Sequence, residues 1–149
     1  MERSIVGSMV RAFAATVFLS AVAPQVVAGP QFVVALEGYD PVSYFANGQP
    51  HKGDLLHGVH WNGATWLFAS EENQKRFEQD PAAYAPQFDG YCAYAASQGY
   101  KAPGDPQTWK IVGGKLYLNF NADAARLWSE DIPGNIRKGE DNWPRLNAF

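Results

Sequence analysis

Cysteine is almost absent from this chain: Cys92 is the only one in 149 residues. A lone thiol closes no internal disulfide, forms no Cys-x-x-Cys redox pair and cannot build the multi-thiolate cage of a structural zinc site. Positive charge is scarce as well, with 12 basic against 15 acidic side chains and no basic cluster. That argues against nucleic acid as a partner, because such binding rests on clustered lysine and arginine neutralising phosphates. The sequence contains no nucleophile elbow, no phosphate-cradling glycine loop and no His-Glu-x-x-His zinc helix, so it supports no catalytic reaction. No internal repeat and no low-complexity tract is evident along the chain.

Long apolar runs are also lacking, apart from the uncharged Ala12–Ala23, which follows Arg3 and Arg11 and is broken by Pro24 and Gln25. It is shorter than the roughly 20 residues of a spanning helix. It leads to Val26-Val27-Ala28, small residues suited to a signal peptidase. The expectation is a signal peptide over residues 1–28, with cleavage after Ala28 and a periplasmic or secreted remainder that keeps no membrane span. An uncleaved anchor is the rival reading. Residues 29–149 then make one domain, large enough to form a core without disulfides or metal. Losing Glu2, Arg3 and Arg11 leaves that domain more acidic than the formal −3 of the whole chain.

Aromatic residues are plentiful, and all five tryptophans and seven tyrosines follow residue 28. They imply either an unusually aromatic core or an aromatic-lined cavity. Asp40-Pro41 reads as a helix start over Pro41–Phe45. Asn62-Gly63 suits a two-residue turn between strands Leu55–Trp61 and Ala64–Ala69. That register sets Trp61 opposite Ala64 and His57 opposite Phe68, with His57, Val59, Trp61, Ala64, Trp66 and Phe68 on one buried face. Ser70 caps a helix carrying Glu71, Glu72 and an inward Phe77, and Asp80-Pro81 restarts the chain. Asp89-Gly90 opens a helix over Tyr91–Gln98 that Gly99 ends.

A second hairpin, Trp109–Val112 with Lys115–Phe120 around Gly113-Gly114, puts Trp109, Ile111, Leu116, Leu118 and Phe120 on a shared buried face. Asn121 caps a helix through Asp131, and Pro133 opens one that stops before Pro144. The fold class is α+β: small antiparallel β-hairpins packed with several short helices in a single domain.

Three stretches carry a resemblance: Gly38-Tyr39-Asp40-Pro41-Val42-Ser43-Tyr44-Phe45; Phe68-Ala69-Ser70 with Phe77, Asp80-Pro81 and Tyr84; and Gly90-Tyr91-Cys92-Ala93-Tyr94-Ala95. Together they resemble the YHS-domain family, most closely its exported bacterial branch, which continues through patterns like Lys115-Leu116-Tyr117-Leu118-Asn119 and Asn142-Trp143-Pro144. The resemblance implies a binding module for a small ligand or a transition-metal ion, copper first among them. In metal-associated members three cysteines supply thiolates. Here the matching positions are Ser43, Ala69 and Asn73, which cannot replace soft sulfur ligands.

Cys92 is the remaining soft donor. It is either a ligand or redox thiol activated by a helix N-terminus, or one member of a small-residue face with Ala95, Ala96 and Gly99 that admits another backbone. His57 and His60, three apart on a strand, point to opposite faces, which leaves His60 as the better metal ligand and Cys92 with His60 as the candidate metal pair. Tyr39, Tyr44, Tyr91 and Tyr94 either rim a polar-edged aromatic pocket or tie helices to sheet. The candidate ligand-binding set is Cys92, Tyr94, Tyr91, Tyr39 and Asp40. Two other classes remain open: an accessory protein that docks on an envelope partner, and a thiol-based redox sensor using Cys92.

Overall fold

The computed structural model describes residues 33–148, so the expected signal peptide lies outside the described residues. The described residues form one compact unit. It is α+β, with six α-helices and two separate two-stranded antiparallel sheets.

The first hairpin joins β1 (Asp54–Trp61) to β2 (Ala64–Phe68). Asn62 and Gly63 take the positive φ values of 49° and 77° that the tight turn requires. Trp61 pairs with Ala64 as predicted, but Phe68 pairs with Asp54 rather than His57. The reason is a bulge. The side chain of Asp54 accepts a hydrogen bond from the backbone N–H of Leu56 at 2.8 Å, and residues 55–57 loop out of the ladder. Trp66 and Phe68 are buried and Val59, Trp61 and Ala64 half-buried, as the alternation implies. The opposite face of β2 is covered too: Leu67 packs over Gly53, where a Cβ would stand 2.5 Å from the Cβ of Leu67.

Ser70 caps α2 (Glu71–Gln79) by accepting from Asn73 N–H at 3.2 Å. Phe77 is fully buried, its ring 5.1–5.6 Å from those of Phe68, Trp66 and Trp61. Asp80 then caps α3 (Pro81–Tyr84).

The second half repeats this plan. β3 (Asp105–Val112) and β4 (Lys115–Asn119) turn at Gly113-Gly114. Asp105 pairs with Asn119 across a bulge over residues 106–108, and its side chain accepts from Gln107 N–H at 2.8 Å, just as Asp54 does from Leu56. Gly104 lies under Leu118 as Gly53 lies under Leu67. Asn121 caps α5 (Ala122–Ser129) as Ser70 caps α2, and buried Trp128 stands where Phe77 stands. Asp131 caps α6 (Ile132–Leu146) as Asp80 caps α3.

Even the lead-in segments match. Ala35–Gly38 and Gln87–Gly90 each make a single left-handed turn, with φ near 50° at Leu36, Glu37, Phe88 and Asp89 and near 80° at the closing glycine. Tyr39 and Tyr91 each donate a backbone N–H back across the turn at 2.9 Å. The described residues therefore repeat one structural plan twice, a repeat that the sequence reading did not find. The copies share turn, cap and close-approach residues, while their core residues differ in kind, so periodicity along the sequence does not expose them.

Several helix boundaries also differ from expectation. α1 covers Ser43–Ala46, and Asp40 serves it by accepting from Val42 N–H. α4 (Ala93–Gln98) begins later than expected, because Asp89-Gly90 belongs to the left-handed turn and Cys92 is the capping residue. Gly99 ends α4 in the left-handed conformation, as predicted. α5 ends at Ser129, freeing Asp131 to cap the next helix. α6 continues through Pro144 instead of stopping before it; the carbonyl left without a donor belongs to exposed Glu140, within reach of water. Phe120, expected on the buried face, is 53% exposed because β4 ends at Asn119.

Each copy has its own core. Val42, Trp66, Phe68 and Phe77 form the first; Phe88, Ala93, Ala96, Tyr117 and Trp128 form the second. A third cluster is the seam between them, in which Tyr44 of the first copy packs with Leu116 and Leu118 of the second.

Candidate functional site

Asp40 is fully buried, and its carboxylate accepts three hydrogen bonds: from Val42 N–H at 2.8 Å, Ala69 N–H at 2.9 Å and the Asn73 side chain at 2.7 Å. The Ser43 hydroxyl donates to the Asp40 carbonyl at 2.7 Å. Ser43, Ala69 and Asn73 thus converge on one residue, although they are spread over α1, the end of β2 and α2. The convergence is a filled hydrogen-bond network. No oxygen of the Asp40 side chain is left unpartnered.

Cys92 occupies in the second copy the position of Asp40 in the first. It is 1% exposed, and its sulfur lies 3.6 Å from Asn119 Oδ1 and 3.5 Å from the Ala95 N–H that it caps. Asn119 Oδ1 also accepts from Tyr94 N–H at 3.0 Å. This geometry matches the small-residue reading. Ala95 and Ala96 are buried beside Cys92, and α6 lies against α4, where Asn142 donates to the Ala96 and Ser97 carbonyls. His60 is exposed on β1 opposite Thr65, in the other copy's hairpin. Among the described residues no cluster of three or more His, Cys, Asp or Glu is placed to hold a metal ion.

The tyrosines divide. Tyr44 is buried, donates its hydroxyl to the Pro106 carbonyl at 2.9 Å and meets Trp109 edge-on. Tyr94 is half-buried against the second core. Tyr39 lies beneath the Lys52 ammonium, 3.8 Å from the ring centre. Tyr91 alone of the expected ligand-binding set reaches a cavity beside the two left-handed turns.

That cavity is an open groove of about 820 Å³ between the two copies. Both left-handed turns line it, the first through Leu36 and Glu37, the second through Phe88, Asp89 and Gly90. Trp61 and Trp66 supply one wall, held by a hydrogen bond from the Trp66 indole to the Trp61 carbonyl at 2.9 Å. Tyr91 and Trp143 supply the other, with ring centres 5.8 Å apart. Trp143 is brought there by α6, which lies so close over Phe88 that a Cβ on Gly139 would stand 2.6 Å from that ring.

Left-handed φ at a residue with a side chain costs about 1–2 kcal/mol, and five such residues line this groove: Leu36, Glu37, Phe88 and Asp89 of the two turns, and Asn62 of the hairpin turn. Sequence reading missed Glu37, Trp61, Trp66, Asp89, Glu140 and Trp143 as site residues. The signal that points to them is the pair Leu36-Glu37-Gly38-Tyr39 and Phe88-Asp89-Gly90-Tyr91, the same pattern met twice along the sequence.

A smaller hollow of about 460 Å³ adjoins Trp128, whose indole N–H is buried without a partner. Set against family models, curated proteins and solved structures, the chain has no match in any of the three.

Proposed function

We propose that this chain is an exported, non-catalytic small-ligand-binding module of the YHS type whose binding site is the groove between its two copies. The observation that carries the reading is that groove. Two duplicated turns in a costly backbone conformation converge on one aromatic-walled cavity, of a size ordinary for small-molecule sites. The YHS resemblance is supported by the meeting of Ser43, Ala69 and Asn73 around Asp40, since those are the positions where other members carry their thiolates. In this chain hydrogen bonds fill that place, and the module is read as a binder of an organic ligand rather than of copper.

The test is titration with N-phenylnaphthylamine, a neutral fluorophore that brightens in apolar sites. One molecule is expected to bind per chain and to quench tryptophan emission. Ala82 is exposed on the groove wall, so Ala82→Trp should abolish binding without lowering Tm. Cys92→Ser, if folded, should retain it. Binding that survives Ala82→Trp, or no binding at all, overturns the groove reading. Copper bound stoichiometrically by wild type and lost in Cys92→Ser would restore the metal reading.

A second reading, docking on an envelope partner, is favoured by one observation. The β1 bulge holds Leu55 and Leu56 at 82% and 85% exposure, an apolar pair on the edge of a two-stranded sheet. A photocrosslinker at position 56 that yields no adduct in the intact envelope would remove it.

A further inference from the structure

The groove's charge and wall chemistry narrow its ligand class. Three carboxylate residues line it, Glu37, Asp89 and Glu140, and no lysine, arginine or histidine does among the described residues. Residues 29–32, which precede them in the expected mature chain, carry no charge. An anion entering the groove would meet like charge in the lining itself, the nearby ammonium groups already resting on groove residues: Lys52 on the Glu37 carbonyl, Lys101 against the Tyr91 and Trp143 rings, and Lys115 at 3.9 Å from the Glu140 carboxylate. A compact metal ion would find no cluster of donors, since the carboxylates do not gather and much of the wall between them is indole, phenyl and aliphatic carbon. A cation whose charge is spread over an apolar body satisfies both surfaces at once, because aromatic faces attract it through the ring quadrupole while the carboxylates at the groove set its sign.

The protein's own side chains already make this interaction beside both turns. Lys52 Nζ lies over the Tyr39 ring, and Lys101 Nζ lies 5.0 Å from the Tyr91 ring centre and 5.4 Å from that of Trp143. Tyr91 and Trp143 are groove residues. Lys101 is thus an internal ammonium resting on the wall that an incoming cation would use.

We propose that the groove binds an organic cation, a quaternary or protonated amine on an aromatic or aliphatic body, and that Lys101 competes with it for the Tyr91–Trp143 wall. This rests on the groove being the binding site. The probe is phenyltrimethylammonium, compared with its neutral carbon isostere tert-butylbenzene. Binding is followed through assigned indole N–H resonances, with N-phenylnaphthylamine displacement as a second readout.

The cation is expected to bind more tightly than the isostere, to shift Trp61, Trp66 and Trp143, and to weaken as sodium chloride is raised while the isostere does not. Glu37→Gln and Asp89→Asn keep size, and both side-chain types are no worse at positive φ than those they replace. Each should weaken the cation about threefold or more and leave the isostere unchanged. Lys101→Gln should tighten the cation, which a merely structural role for Lys101 does not produce.

Equal or tighter binding of the isostere, with the same indole shifts, overturns the cation proposal while the groove reading stands. Absence of shifts at those three indoles with both probes overturns both. Should the acidic-residue variants unfold, salt dependence and the isostere comparison on wild type still decide.

Discussion

Asp40 and Cys92 occupy matching positions, and the difference between them decides what each can do. Asp40 gathers three donors in a fully buried place. Asparagine at that position offers one acceptor oxygen and turns an N–H₂ toward groups that are themselves donors. Asp40→Asn is therefore expected to cost about 2 kcal/mol or more, read as a lower urea midpoint with unchanged slope. Cys92 reaches only a carboxamide and a backbone N–H and is closed off from water. The native protein should react with a thiol reagent only at its rate of opening, and the urea-unfolded protein at the rate of a free thiol. Fast labelling of the native state would reinstate the redox-sensor reading.

At the scale of elements, the left-handed turns are the strained parts. Glu37 and Asp89 each hold φ near 50°, a conformation glycine adopts without the Cβ penalty. Replacing Asp89, an exposed residue, with glycine removes that strain but adds freedom to the unfolded chain. The net expectation is a gain of about 0.5–1 kcal/mol, measured by thermal or urea unfolding, alongside weaker cation binding. Opposite movement of stability and affinity in one variant would mark a turn kept for its ligand.

Legibility in the sequence was greatest where one residue type dictates geometry. Asn62-Gly63, Gly113-Gly114, the Ser70 and Asn121 caps and the Gly99 stop all stand where their chemistry places them. The bulges were not legible, because Asp54 and Asp105 act through a local side-chain bond that alternation of apolar residues does not encode. Nor were the turns: three successive positive φ values at Leu-Glu-Gly are contrary to the preference of two of the residues. Tertiary packing imposes them, with Leu36 and Phe88 both seated in core clusters. The groove residues went unrecognised for the same reason, since they come together only once both turns are formed.

At the scale of the whole molecule, two cores meet along a seam fastened by Tyr44. Burial pushes the Tyr44 phenol well above the ordinary tyrosine value of about 10, with Tyr39, Asp105, Asp40 and Glu37 adding to the effect. The folded protein keeps this proton at pH values where the unfolded chain has released it. Stability from this group is intact below about pH 10 and is lost as pH rises further. Urea midpoints should decline above that pH, and Tyr44→Phe should show a shallower decline from a start about 1 kcal/mol lower, because the Pro106 carbonyl loses its donor. Equal alkaline slopes in both proteins would assign the loss elsewhere.

Two identical subunits facing each other across a crevice must alter both walls with every mutation. Two halves carried on one chain are free of that bond, and one side here presents two indoles from a hairpin while the other presents a phenol and an indole from a helix. A ligand with unlike ends can therefore be held in a single orientation, which symmetric walls would leave undecided.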